Sequence, residues 1–249
     1  MSVIPWNKEY GETLTQTLER FRLTYPEYSE ARITYAGRLD PLAHGLMLLL
    51  TGEDVYHKES YLKLDKVYEV DVLFGMTTDT YDILGMIDDT VPHNEFVLNE
   101  TTVSTVVETC IGTGYQTYPP YSSKTVQGKP LWRWAREGSL STIELPTREI
   151  EIYRIELLST YELNVSDFIR LVEEACNVVR GDFRQNDIRA RYNEYFKNHT
   201  DNSYQVYRIR VYASSGTYMR SLAHKVGQQL GIGGIALRIH RTHVGEYHL

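Results

Sequence analysis

Apolar residues recur along the chain with two distinct periods. In ETLTQTLERFRLTY, Leu14, Leu18 and Phe21 stand at helical spacing, which predicts a helix. The run LMLLL is short enough to be a fully buried strand. KVYEVDVLFG alternates, with Tyr68, Val70, Val72 and Phe74 on one face and Glu69 and Asp71 on the other, which predicts a half-buried strand. VSDFIRLVEEACNVV reads as an amphipathic helix. YQVYRIRVYA alternates again, with Tyr207, Ile209, Val211 and Ala213 sharing a face. Directly after it, SSGTYMRSLAHKVGQQLG predicts a turn and a helix: Ser214 and Ser215 as capping residues, a Leu222, Val226, Leu230 stripe, and Gly231 as the stop. Helices and strands mix without a regular β-α-β rhythm, so the expected fold class is α+β.

The 249 residues carry no repeat, low-complexity tract or Pro/Gly-rich linker, which favours one domain. Cys110 and Cys176 lie far apart with no zinc-type spacing, favouring a reducing compartment and no structural metal. The amino end has no signal-like pattern and no apolar run is long enough to span a bilayer; a soluble, cytoplasmic protein is expected. There is no Walker loop, dinucleotide fingerprint or nucleophile elbow.

Net charge is −7, which disfavours a polyanionic partner on global electrostatics, but the distribution is uneven. From Tyr121 to Arg136 the chain carries Lys124, Lys129, Arg133 and Arg136 with no acid, interleaved with Trp132 and Trp134. Such a segment holds phosphates and offers flat faces to bases; a solvated basic helix with its tryptophans in the core fits equally well. Asp40, in an Asp-Pro pair ahead of the leucine run, is read either as a local turn former or as a carboxylate at the mouth of a buried strand, where it needs a cation to stay ionised. Arg220 falls in the first turn of its helix, where the macrodipole disfavours a cation by roughly 0.3–1 kcal/mol; a nearby anion, Asp40 or a phosphate, would explain it. TTDTYD, residues 77 to 82, lacks EF-hand spacing and reads as a loop.

Five stretches, in order, resemble motifs of the TruB-type pseudouridine synthases: AGRLDPLAHGLMLLLTGE, DKVYEVDVLFGMTTDTYDILG, QTYPPYSSKTVQGKPLWRWAREG, RVYASSGTYMRSLAHKVGQQLG and GIGGIALRIHRTHVGEY. The resemblance implies the pseudouridine synthase fold, a central mixed, mainly antiparallel sheet flanked by helices and loops. It also implies isomerisation of a tRNA T-loop uridine (position 55) without cofactor or metal: the N1–C1′ bond breaks, the base turns, and C5 joins C1′. Asp40 would be the nucleophile on a flipped base, Tyr68 would stack on that base and take the C5 proton, and Arg220 would pair with Asp40. Substrate contacts are expected from Tyr35, Arg38, Lys66, Asp79, Tyr121, Lys124, Lys129, Arg136, Tyr218, Ile239 and Arg241, with residues 124–136 in a loop that closes on the T-arm.

The chain departs from the family pattern in several places. KEYGETL keeps Lys8, Gly11 and Thr13 of the amino-terminal motif but not its other positions. Tyr35 replaces a usual histidine and His224 a usual aspartate. The chain ends shortly after the last motif, so no PUA-type domain is expected, and residues 161–203 read as a helical insertion. Its Arg180, Arg184, Arg189 and Arg191 could touch phosphate; a plain helical hairpin is as consistent. A monomer whose partner is tRNA is expected. The alternatives are a non-catalytic RNA-binding or RNA-folding protein on the same fold, or the same chemistry on another RNA.

Overall fold

The computed structural model describes residues 2–88, 98–197, 199 and 203–249. Residues 198 and 200–202 of the expected insertion therefore lie outside the described residues. In chain order the elements are β1 (Val3–Lys8), α1 (Leu14–Thr24), β2 (Thr34–Ala36), β3 (Ala43–Leu50), α2 (Lys58–Leu62), β4 (Lys66–Phe74), α3 (Glu100–Glu108), β5 (Gly112–Thr117) and β6 (Thr125–Val126). They continue with β7 (Lys129–Pro130), α4 (Leu131–Arg136), β8 (Thr147–Asn164), α5 (Val165–Val178), α6 (Gln185–Phe196), β9 (Ser203–Ala213), α7 (Met219–Gln229), β10 (Gly234–Val244) and β11 (Tyr247–His248).

Seven strands run in the order β1-β3-β10-β4-β9-β8-β5, with β2 added to β3 and β11 to β10. Every pairing is antiparallel except β3 with β10, so the sheet is mixed and mainly antiparallel. The leucine run is the buried strand β3, with Leu46 to Leu50 fully enclosed. At the parallel seam Arg241 lies opposite Gly45. Gly45 has φ +100°, and a Cβ there would lie 2.4 Å from the Arg241 carbonyl oxygen, so no larger residue fits this approach.

One core cluster joins α1, β3, β4, β9, β10 and α7 through residues such as Phe21, Met47, Val70, Ile209 and Leu222. A second covers part of the sheet with α5 and α6, bringing Phe168, Val172, Ile188 and Tyr192 together with Leu73, Val206 and Leu237. This second layer corrects one expectation: β4 is buried at seven of its nine positions rather than half-buried. Asp71, expected on the polar face, is 2% exposed because Arg208 takes both its oxygens (2.6 and 2.9 Å) and the Tyr161 hydroxyl donates to it (3.0 Å).

The helix at the carboxyl side also starts later than its serines suggest. Its N-cap is Tyr218, with no side-chain cap. Ser214 instead accepts from the Glu151 backbone N–H (2.8 Å), because strand pairing carries the chain past it. Thr13, by contrast, forms a full capping box with Gln16 at the start of α1. Trp6 packs edge-on to Phe21 at 5.2 Å, locking that helix to β1.

His44 of β3 stacks on His240 of β10 at 4.7 Å, and Tyr10 meets its ring edge-on. Burial, and after it His240, Lys8 and Arg238, push His44 down from 6.5 to about 4, with Asp71 opposing. Between those values the unfolded chain binds more protons, so this residue removes stability as pH falls from 6.5 towards 4. Urea unfolding at pH 7 and pH 5 should show a larger loss for the parent than for His44→Gln; equal losses would contradict this placement.

Candidate active site

Asp40 sits in the turn between β2 and β3, and two buried cations hold that turn from opposite sides. Lys8, fully buried, donates to the carbonyls of Ala43 (2.6 Å), Pro41 (2.8 Å) and Glu9 (3.1 Å). Burial pushes its ammonium down to about 8, with Glu12 and Asp40 opposing. Arg241, 1% exposed, donates to the carbonyls of Leu46 (2.7 Å), Gly37 (3.1 Å) and Arg38 (3.3 Å). The carboxylate is thus carried on a short loop whose backbone is bonded at both ends.

Arg220, 3% exposed on the second residue of α7, supplies the charge partner. Its Nε donates to Asp40 Oδ2 at 2.8 Å and lies 3.6 Å from Asp82 Oδ2. Its two terminal nitrogens donate to the carbonyls of Thr80 (2.8 Å) and Tyr121 (3.2 Å). Burial opposes the charge of this guanidinium, and Asp40 and Asp82 outweigh it, so its pKa is raised. Asp82 is held by Thr80 Oγ1 (2.7 Å) and the Leu84 N–H (2.9 Å); burial pushes its carboxyl up while Arg220 draws it back. Asp40 differs in accessibility: its side chain is 36% exposed, against 13% for Asp82.

That exposed carboxylate opens on a cavity of about 600 Å³. Of the residues expected from sequence, Asp40, Arg38, Tyr121, Arg136 and Arg220 line it. Trp132 does so too, 37% exposed, so it is a wall residue and not core. Tyr68, Tyr218 and Ile239 are not on this wall. Tyr68, 8% exposed, belongs with Ile239 and Met219 to the first core cluster, which shares Leu39 with the cavity. Tyr218 is pushed up to about 12 by burial and, after that, by the charge of Asp40.

Other expected contacts are occupied by the protein itself. Lys66 is 3% exposed and bonds the carbonyls of Leu62 (2.7 Å) and Leu64. Lys66 and Arg241 are therefore corrected from substrate contacts to internal supports, since head groups spent on buried carbonyls are not presented to a ligand. Lys129 pairs with Glu137 (2.5 Å) over the Trp134 ring, Lys124 lies over Tyr118, and Lys58 lies over Tyr35. Asp79 takes both terminal nitrogens of Arg184. Asp82, Lys8 and the turn residues Asp182, Phe183 and Arg184 had no individual role in the sequence reading; the paired aspartates of TDTYD were the available signal. Arg189 bonds Glu173 and Asn177, and Arg191 lies 3.7 Å from Glu194. Among the described residues no His/Cys/Asp/Glu cluster has metal-binding geometry, and no helix is long and apolar enough to cross a membrane.

The architecture is an α+β fold built on a mixed sheet, with an arginine-paired carboxylate at a cleft. The chain belongs to the family described as TruB family pseudouridylate synthase (N terminal domain), whose sequence profile matches residues 26–175. Proteins named tRNA pseudouridine synthase B are similar to it across nearly its whole length. That of Nitratidesulfovibrio vulgaris is 29% identical over 95% of this chain and 61% of its own, that of Aquifex aeolicus 29% over 96% and 67%, and that of Opitutus terrae 30% over 88% and 71%. The chain thus spans about three fifths to seven tenths of these relatives. Among solved structures, a Cbf5-Nop10-Gar1 complex superposes with a TM-score of 0.59 at 17% identity, over 99% of this chain and 50% of that one. An H/ACA RNP bound to a substrate RNA containing 2′-deoxyuridine gives 0.56 at 16%, over 99% and 48%. At such identities the likeness is one of fold.

Lys8→Met would remove the buried ammonium shared by three carbonyls, of which Pro41 and Glu9 keep a backbone N–H donor, from Gly11 and Glu12. Urea unfolding should show a loss of about 2 kcal/mol, given ~1–3 kcal/mol for an orphaned buried polar group. The exposed Lys225→Met control should stay within about 0.5 kcal/mol. Equal effects would contradict the role given to Lys8.

Proposed function

We propose that the protein isomerises a uridine of tRNA to pseudouridine, at position 55 of the T-loop, with Asp40 as nucleophile. One observation carries this reading: a carboxylate paired with the buried Arg220 is the accessible member of a charged cluster, and it faces a cavity of about 600 Å³, within the usual range for a small-molecule-sized site. Family membership and the names of the relatives supply the reaction and the RNA class. No atoms are gained or lost overall. The N1–C1′ bond breaks, C5 bonds C1′, the C5 proton leaves, and N1 takes up a proton.

In this reading Asp40 acts on the flipped nucleotide while Arg220, paired on its Nε side, keeps the carboxylate charged through the reaction. Tyr68 is the group that stacks on the turned base and takes the C5 proton. It belongs to the core cluster that shares Leu39 with the cavity wall. Arg38, exposed at the cavity rim, and the basic segment from Lys124 to Arg136 meet the RNA backbone. The Arg136–Asp182 pair (2.6 Å) is exposed on its aspartate side, and surface pairs of this kind are weak enough for a phosphate to displace.

The test uses T-arm transcript tritiated at uridine C5. Release of tritium in multiple turnovers by the parent is expected, with a fall of ~10³ or more in Asp40→Asn, since removing a nucleophile leaves only binding and positioning effects. Tight RNA binding without release at any enzyme concentration would instead identify a non-catalytic RNA-binding protein. Release from other RNAs but not from the T-arm would correct the substrate.

A further inference from the structure

Two backbone carbonyls orient the terminal nitrogens of Arg220, one from Thr80 and one from Tyr121. These belong to loops far apart in sequence, and neither lies within a helix or strand. The Tyr121 and Asp79 side chains meet directly, and a side chain from the turn between α5 and α6 bridges both. Arg184 donates from both terminal nitrogens to Asp79, the neighbour of Thr80, at 2.6 and 3.1 Å. The same guanidinium lies over the Tyr121 ring at 4.3 Å. Its own backbone is fixed in the left-handed region at φ +63°, and its N–H donates to Asp182 Oδ1 (3.2 Å). Arg184 lines the cavity, but its side chain is only 11% exposed and its charge is committed to Asp79 and the Tyr121 ring.

We infer that Arg184 is a positioning residue for the Asp40–Arg220 pair: it clamps the Asp79–Thr80 and Tyr121 segments together, so that their carbonyls stay aimed at the Arg220 fork. The α5–α6 hairpin, read from sequence as an insertion whose arginines might reach phosphate, therefore acts through the protein and not through the RNA at this position. The inference rests on the proposed reaction for its kinetic consequence, while the clamp itself is open to direct test. Arg184 touches neither Asp40 nor Arg220. Its influence passes through one residue on each side, Thr80 beside Asp79 and the main chain of Tyr121.

The experiment compares the parent chain with Arg184→Gln, Arg184→Lys and Asp79→Asn in two assays. Hydrogen–deuterium exchange without RNA is expected to quicken in both the 78–84 and 118–124 segments of Arg184→Gln, and little elsewhere. Single-turnover kinetics on T-arm RNA are expected to show about a tenfold or greater fall in the chemical rate, with RNA affinity and its salt dependence within about twofold of the parent. Lysine cannot take both Asp79 oxygens and lie flat on the ring, so Arg184→Lys should restore less than half of the lost rate. Asp79→Asn combined with Arg184→Gln should be no worse than the more damaging single variant. Weakened, salt-sensitive binding at an unchanged rate would overturn the inference in favour of a phosphate contact, and unchanged exchange in both segments would overturn the clamp. If the parent shows no turnover, the proposed reaction fails, and the exchange measurement still decides the clamp. Should Arg184→Gln not fold, Arg184→Lys and Asp79→Asn carry both readouts.

Discussion

A single buried guanidinium organises the working end of this molecule. Arg220 sits at the positive end of a helix dipole, almost out of solvent, where an unpaired cation would be costly. It is tolerated because two carboxylates and two carbonyls surround it, drawn from three parts of the chain: Asp40 from the β2–β3 turn, Thr80 and Asp82 from the loop after β4, and Tyr121 from the segment after β5. The forked, planar geometry matters as much as the charge. Nε faces the carboxylates while the two outer nitrogens are spent on backbone oxygens, so Asp40 meets the edge of a group that cannot rotate away. Both carboxylates line the cavity, and Asp40 is the more accessible of the two.

That arrangement needs a rigid frame, and the frame is the parallel seam between β3 and β10. Arg241 leaves β10 beside Gly45 and reaches the carbonyls of Gly37 and Arg38, while Lys8 from β1 reaches those of Pro41 and Ala43. Two cations buried under one turn repel each other in principle. They are accommodated because every contact is with a carbonyl dipole, and because Glu12 and Asp40 lie close enough to favour charge on Lys8. A carboxylate mounted on a loop is thereby held almost as firmly as one mounted on a strand.

Much of this was legible from residue order alone. Helical spacing in Leu14, Leu18 and Phe21 and the alternation of β9 each report a single burial face, the leucine run of β3 reports burial on both, and each element formed where its pattern placed it. The Asp40–Arg220 pair followed from the family resemblance; the cation in a first helical turn by itself asked for an anion without choosing between Asp40 and a phosphate. The errors share another cause. The start of α7 was misplaced since Ser214 finds a backbone partner on β8, and β4 was read as half-exposed since the α5–α6 layer that covers part of the sheet lies more than 90 residues further along the chain. Arg184 could not be told apart from Arg180, Arg189 and Arg191 by composition. Only its left-handed backbone and its reach to Asp79, 105 residues away, single it out. The same holds for Lys66 and Arg241, whose charges suggested a ligand until burial showed them turned inward.

The most direct test of the account is the rate of the chemical step in Arg220→Lys, measured in a single turnover with RNA affinity determined alongside. A lysine keeps the positive charge but loses the fork, so the rate should fall by about a hundredfold or more, as for removal of a preorganised electrostatic donor, while binding stays near that of the parent. A rate within about threefold of the parent, or a loss confined to RNA affinity, would contradict the claim that the oriented guanidinium holds Asp40 ready for reaction.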